Sequence, residues 1–180
     1  MTLRRDGIAA GMRYVPSPNC DERPPGEAVT LIVVHSISLP PGLFSGDSVE
    51  QFFTNRLDRA AHPYFEEIGG LRVSAHFFVR RDGECIQFVP VGMRAWHAGA
   101  SQWRGRDRCN DFSIGVELEG TDDAGYEPAQ YRSLATLVRT LRAALPVSAI
   151  AAHSDIAPSR KTDPGPLFEW RRCLSLLARD

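Results

Sequence analysis

One segment constrains this chain more than any other. In TLIVVHS, residues 30–36, four apolar residues, three of them β-branched, run straight into His35. Such a run is a buried strand, and a buried strand needs other layers to cover it. VSAIAAH, residues 147–153, repeats the pattern and also ends on a histidine. SIGVELEG, residues 113–120, is a third strand, and RVSAHFFVR (72–80) and ECIQFVP (84–90) flank the turn signal Asp82-Gly83 as a hairpin. Helices are expected near 48–58, with Asp47 or Ser48 as N-cap, and from Pro128, where Leu134, Leu137, Val138, Leu141 and Leu145 keep helical spacing. A closing helix starts at Pro166, with Leu167, Trp170, Leu174 and Leu177 turned inward. Residues 39–46, 61–70 and 94–110 read as irregular. The fold class is therefore α/β, a single domain with a mixed central β-sheet flanked by helices. Residues 1–28, with Pro16, Pro18, Pro24, Pro25 and Gly26, read as an N-terminal arm that wraps without packing, and residues 29–180 as the domain itself.

The 180 residues suit one domain, and a chain of this size buries about 70% of its unfolded surface, enough for a core without staples. Twenty-one cationic against 22 acidic residues leave a formal charge of −1, which removes the electrostatic argument for a nucleic-acid partner. No run of about 18 apolar residues is present to span a membrane. Cys20, Cys85, Cys109 and Cys173 form no CxxC pair and read as free thiols. The first residues carry two arginines but no apolar secretory core, so the expected compartment is the cytoplasm.

The chemistry gathers at strand ends. In an α/β sheet, ligands bind at the carboxyl ends of strands, so His35 and His153 could project from one edge. Asp163 follows ten residues after His153, in HSDIAPSRKTDPG, ahead of the rigid Pro164-Gly165-Pro166. Two imidazoles and a carboxylate with one position left open is a catalytic zinc arrangement. The plain alternative is a pair of hydrogen-bonded sheet-edge histidines, and a separation of 118 positions does not decide between them. Alternation in 113–120 puts Ile114, Val116 and Leu118 on one face and Gly115, Glu117 and Glu119 on the other. A mid-strand glutamate either faces solvent at an edge or, if buried, serves as a general base with a raised pKa. Lys161, the only lysine, could place an ammonium near a developing oxyanion or be a plain loop residue. His62 reads as a loop residue, His76 as a satisfied sheet histidine, and His97 as a donor near a groove.

The segments VVHSISLPPG, RVSAHFFVRRDGE, RAWHAGAS, RCNDFSIGVELEGTD and AHSDIAPSRKTDPGP together resemble the AmpD-type amidases, zinc-dependent N-acetylmuramoyl-L-alanine amidases related to phage amidases and peptidoglycan recognition proteins. The likeness runs from about residue 12 to 175. It implies the fold shared by those proteins, Zn²⁺ as cofactor, and His35, His153 and Asp163 as its ligands. It implies Glu117 as catalytic base and Lys161 as the residue that stabilises the transition state. Arg72, Arg108, Trp96, Tyr64 and Ala157 match groove positions, and Ser36 stands where relatives commonly carry Asn, with a shorter reach toward the substrate. The implied reaction is hydrolysis of the amide between the lactyl group of (1,6-anhydro-)N-acetylmuramic acid and L-alanine of the stem peptide. That reaction belongs to peptidoglycan recycling by a cytoplasmic monomer whose only partner is a small muropeptide. The likeness further implies that, where an inducible β-lactamase exists, lowering these muropeptides keeps it repressed. Two other readings compete: a non-catalytic peptidoglycan-binding module, which would lack a metal ligand, and a periplasmic wall-lytic amidase, which would act on intact wall.

Overall fold

The apolar run at 30–36 becomes an inner strand of a six-stranded mixed sheet. The computed structural model describes residues 1–178. In chain order the elements are β1 (Arg13–Tyr14), β2 (Cys20–Glu22), β3 (Leu31–Ile37), α1 (Ser48–Phe53), α2 (Pro63–Ile68), β4 (Phe77–Val79), β5 (Cys85–Gln87) and β6 (Met93–Ala95). They continue as β7 (Gln102–Trp103), β8 (Arg106–Asp107), β9 (Ser113–Glu119), α3 (Pro128–Ala144), β10 (Ala149–Ala152), α4 (His153–Ile156) and α5 (Trp170–Leu177). The main sheet runs β1-β5-β4-β9-β3-β10. Only the β4–β5 hairpin is antiparallel; β4, β9, β3 and β10 are mutually parallel.

Strand alternation decides which layer each side chain joins. Ile32, Val34, Ile114, Val116 and Leu118 pack under α3, whose Leu134, Leu137, Val138 and Leu141 are fully buried, with Cys173 of α5 behind them. Burying each such side chain contributes roughly 1.5–3 kcal/mol, so this layer dominates the fold's stability. On the opposite face, Leu31 and Val33 meet Ala98, Phe112, Ala151 and Ile156. Beside them Phe52, Phe53 and Phe65 of α1 and α2 cover Phe78 and Ile86.

Several local expectations are corrected. Residues 61–70 hold a helix: Pro63 occupies its first turn, and the His62 ring Nδ1 accepts the Tyr64 N–H at 3.1 Å as its N-cap. The helix begun at Ser48 stops at Phe53, because Asn55 turns the chain at φ +59°. Of residues 72–80 only Phe77–Val79 are laddered, and the Ser74 N–H donates instead to the Trp96 carbonyl at 3.1 Å. The stretch 94–110 carries parts of three short strands. The closing helix begins at Trp170, not Pro166, and turns Trp170, Cys173 and Leu177 inward while Leu167 and Leu174 are exposed. The helix starts four residues later than expected, and its inward stripe runs through Trp170, Cys173 and Leu177 at i, i+3 and i+7, leaving Leu174 outside it.

The proline-rich segment wraps the molecule but is also packed into it. β1 forms the sheet's edge beside β5, and β2 pairs with β6. Buried Asn19 donates to the Val73 carbonyl at 2.8 Å. Arg23 donates to the carbonyls of Asn110, Asp111 and Ser113 at 2.8–3.0 Å. Arg13 forks onto Glu50 of α1 with two 2.7 Å bonds, and Arg80 reaches the same carboxylate at 2.6 Å.

Candidate metal centre and active site

Three adjacent parallel strands, β10, β3 and β9, bring their carboxyl ends to one edge. The register sets His35 directly opposite Glu117, and Ala152 opposite Val34, so His153 follows at the level of His35. His153 is the first residue of α4 rather than the last of the strand. Asp163 is brought back by the loop after α4, where the Ser154 N–H donates to the Asp163 carbonyl at 3.0 Å. Tyr126 holds the next peptide, donating its hydroxyl to the Pro164 carbonyl at 2.7 Å. Gly165 is needed at φ +82°, where a Cβ would lie 2.6 Å from the Asp122 carboxylate.

His35 Nδ1 and His153 Nδ1 lie 2.9 Å apart, and Asp163 Oδ2 is 3.2 Å and 3.0 Å from them. His153 Nε2 lies 3.3 Å from the Ala98 carbonyl, which can only accept, so the ring proton sits on Nε2 and Nδ1 presents a lone pair. Burial lowers the His35 pKa to about 4, keeping that ring in the neutral form that ligates metals. Two imidazole nitrogens and one carboxylate oxygen therefore converge, and three close acceptors need a cation among them. The donor set and its spacing fit a divalent metal with an open coordination position.

Glu117 lies beside this cluster. Its Oε2 is buried without a hydrogen-bond partner. Burial, reinforced by the charge of Asp163 and opposed by that of Lys161, pushes its pKa well above the usual carboxylate range. An unsatisfied buried carboxylate oxygen costs stability, and such groups collect at functional sites.

A cleft of about 540 Å³ opens over the cluster. It brings together His35, His153, Asp163, Glu117 and Lys161 with Ser36, Tyr64 and Trp96. Arg72, Arg108 and Ala157 are not in its lining. Arg72 is exposed between the lining residues Leu71 and Val73. Arg108 is exposed and pairs with Asp111 at 3.2 Å. Ala157 is buried, and its carbonyl accepts the N–H groups of Arg160 and Lys161 at 3.0 Å, closing the turn that delivers Lys161. His76 is buried and bonded to Gly115 and Met93, a satisfied sheet histidine. His97 lines the cleft but turns its ring to His35, with centroids 5.0 Å apart.

Two supporting residues went unread in the sequence. Asp21, on β2, accepts the Trp96 indole N–H at 3.1 Å while bound by Arg94 at 2.7 and 2.5 Å. Tyr126 braces the Asp163 loop as described. Neither has a local signature, since Asp21 and Trp96 are 75 positions apart.

A mixed sheet with two imidazoles, a carboxylate and a buried glutamate at one edge defines a hydrolase built around a metal-binding cluster. The family model for N-acetylmuramoyl-L-alanine amidase matches residues 25–166. The chain belongs to that family and is an amidase. It is 54% identical to the 1,6-anhydro-N-acetylmuramyl-L-alanine amidase AmpD of Escherichia coli over 180 residues, 99% of this chain and 98% of that protein. It superposes on the crystal structure of a selenomethionine AmpD derivative with a TM-score of 0.95 at 52% identity, covering 98% and 99% of the two chains. The amidase AmiD of E. coli, solved with the substrate anhydro-N-acetylmuramic acid-L-Ala-D-gamma-Glu-L-Lys, matches at a TM-score of 0.60 and 27% identity, covering 97% of this chain and 65% of that one.

Proposed function

We propose that this amidase hydrolyses the amide between the lactyl group of 1,6-anhydro-N-acetylmuramic acid and the L-alanine of the stem peptide, in peptidoglycan recycling, with zinc held by His35, His153 and Asp163. The observation that carries this reading is the pairing of His35 with Glu117 across β3 and β9, which puts an unpartnered buried carboxylate oxygen beside the ligand cluster.

Zinc bound there would supply a Lewis acid for the scissile carbonyl and acidify the attacking water. Glu117, with its raised pKa, takes the water's proton and is placed to deliver one to the leaving alanine nitrogen. Lys161 brings an ammonium to the oxygen that becomes negative in the tetrahedral state. Tyr64 and Trp96 form the walls against which sugar and peptide lie, and Ser36 offers a short hydroxyl at the cleft. Arg72, beside the rim, suits a stem-peptide carboxylate by its bidentate geometry. Arg108 and Ala157 act from outside the cleft, the latter by holding the Lys161 turn.

No helix among the described residues is long and apolar enough to cross a membrane. The four cysteines are free, which suits a reducing compartment and supports a cytoplasmic site of action. A comparison of turnover on a 1,6-anhydro-muropeptide and on intact sacculi tests the substrate. The small substrate is expected to be cleaved far faster; equal rates would point to a wall-lytic enzyme, and binding without cleavage to a recognition module.

A further inference from the structure

His97 sits between the candidate ligand His35 and the body of the sheet. Its Nδ1 is 2.9 Å from His35 Nε2, and its Nε2 is 3.2 Å from Ser113 Oγ. Ser113 Oγ is in turn 2.5 Å from the Cys109 carbonyl. His35 and Ser113 are buried, and His97 between them is half-buried at the inner wall of the cleft.

The chain of bonds has one direction, set from its far end. A carbonyl oxygen only accepts, so the Ser113 hydroxyl proton points to Cys109. The Ser113 oxygen is then free to accept, and His97 donates to it from Nε2–H. A neutral imidazole carries one N–H, so His97 Nδ1 is an acceptor. His35 must therefore donate from Nε2, which leaves its Nδ1 bare and turned to His153 and Asp163. The residue after His97 does the same for the second ligand, since the Ala98 carbonyl accepts from His153 Nε2 at 3.3 Å.

The backbone is arranged to hold this segment. The N–H groups of His97 and Ala98 both donate to Asn110 Oδ1, at 3.2 and 2.8 Å. Gly115, on β9, gives the His97 ring its place: a Cβ there would lie 2.4 Å from His97 Cγ. The sheet thus has a glycine where the ring rests, and the Asn110 side chain fixes the backbone that carries it.

We propose that His97 is a positioning residue for the metal site: through Ser113 and the Cys109 carbonyl it holds His35 in the tautomer that presents Nδ1, while the adjacent Ala98 carbonyl holds His153 likewise. This inference rests on the zinc reading of the cluster and extends it to residues outside the ligand set. An acceptor behind a ligating imidazole fixes the ring and raises its basicity, and losing it typically costs on the order of 10–100-fold in metal affinity.

The test is the zinc dissociation constant, measured by competition with a chromophoric chelator, for the wild type, His97→Phe and His97→Gln. Phenylalanine fills the space but accepts nothing. Glutamine can accept from His35 through its carbonyl and donate to Ser113 through its amide. The expected result is zinc affinity weakened by about 10–100-fold in His97→Phe and restored to within a few-fold in His97→Gln. Wild-type affinity in folded His97→Phe, or equal loss in both variants, would overturn the proposal. A wild type that binds no zinc would instead overturn the reading beneath it. Should the phenylalanine variant not fold, long-range proton–nitrogen spectra of the zinc-loaded wild type decide: the His35 proton on Nε2 supports the proposal, and on Nδ1 refutes it.

Discussion

At the scale of single residues, Glu117 carries the sharpest expectation. It is not one of the three candidate ligands, yet it stands opposite His35 with its Oε2 buried and without a hydrogen-bond partner. Replacing it with glutamine keeps the shape and removes the proton acceptor. Glu117→Gln is expected to keep its full complement of zinc by elemental analysis while kcat falls roughly 10²–10⁴-fold, the usual contribution of a positioned acid–base group. Retained turnover would remove Glu117 as the base; lost zinc would make it part of the metal site instead. Lys161 differs in kind. It depends on a turn closed by the Ala157 carbonyl, so its placement is a property of the backbone after α4 as much as of the side chain.

At the scale of elements, much of the sheet could be read directly, and the reasons are physical. β3 and β9 are buried and β-branched or alternating, so their pattern survives any context. The same alternation placed Glu117 opposite the apolar face, and the structure agrees. α3 was readable because its stripe of leucines has nowhere to go but the core. Short elements were not readable. α2 depends on a His62 cap and Pro63, signals that resemble an ordinary turn, and β1 and β2 are two and three residues long with partners 71 or more positions away. Asp163 could be offered as a third ligand from its place ahead of the rigid Pro164-Gly165-Pro166, but only the likeness to relatives set it apart from other loop acids.

The arm's attachment has its own test. Hydrogen bonds from Arg13, opposed by burial and supported by Arg80, hold the Glu50 carboxyl below its usual range. A lowered pKa means that this attachment is at full strength above the ordinary glutamate value of 4.5 and is lost as the pH falls through the folded value. Glu50→Gln is expected to lower stability at pH 7 by roughly 1.5–3 kcal/mol, in line with hydrogen bonds to a charged group. The difference should shrink in urea melts at pH 3. A gap that is unchanged by acid would show that the ion pairs contribute little.

At the scale of the whole molecule, one sheet edge collects groups from distant parts of the chain: His35 from β3, Glu117 from β9, His153 from the start of α4 and Asp163 from the loop after it. The α1–α2 layer builds the cleft wall over that edge, the arm holds α1 through Arg13 and Glu50, and α3 with α5 packs against the sheet from the other face. Hydrolysis is expected to depend on zinc held at this edge. The direct measurement is turnover of a 1,6-anhydro-muropeptide after exhaustive chelation and again after one equivalent of zinc is returned. Activity should vanish with the metal and return in proportion to the zinc bound, and the melting temperature should rise with it. Full turnover by metal-free protein would rule out zinc at this edge as the basis of hydrolysis.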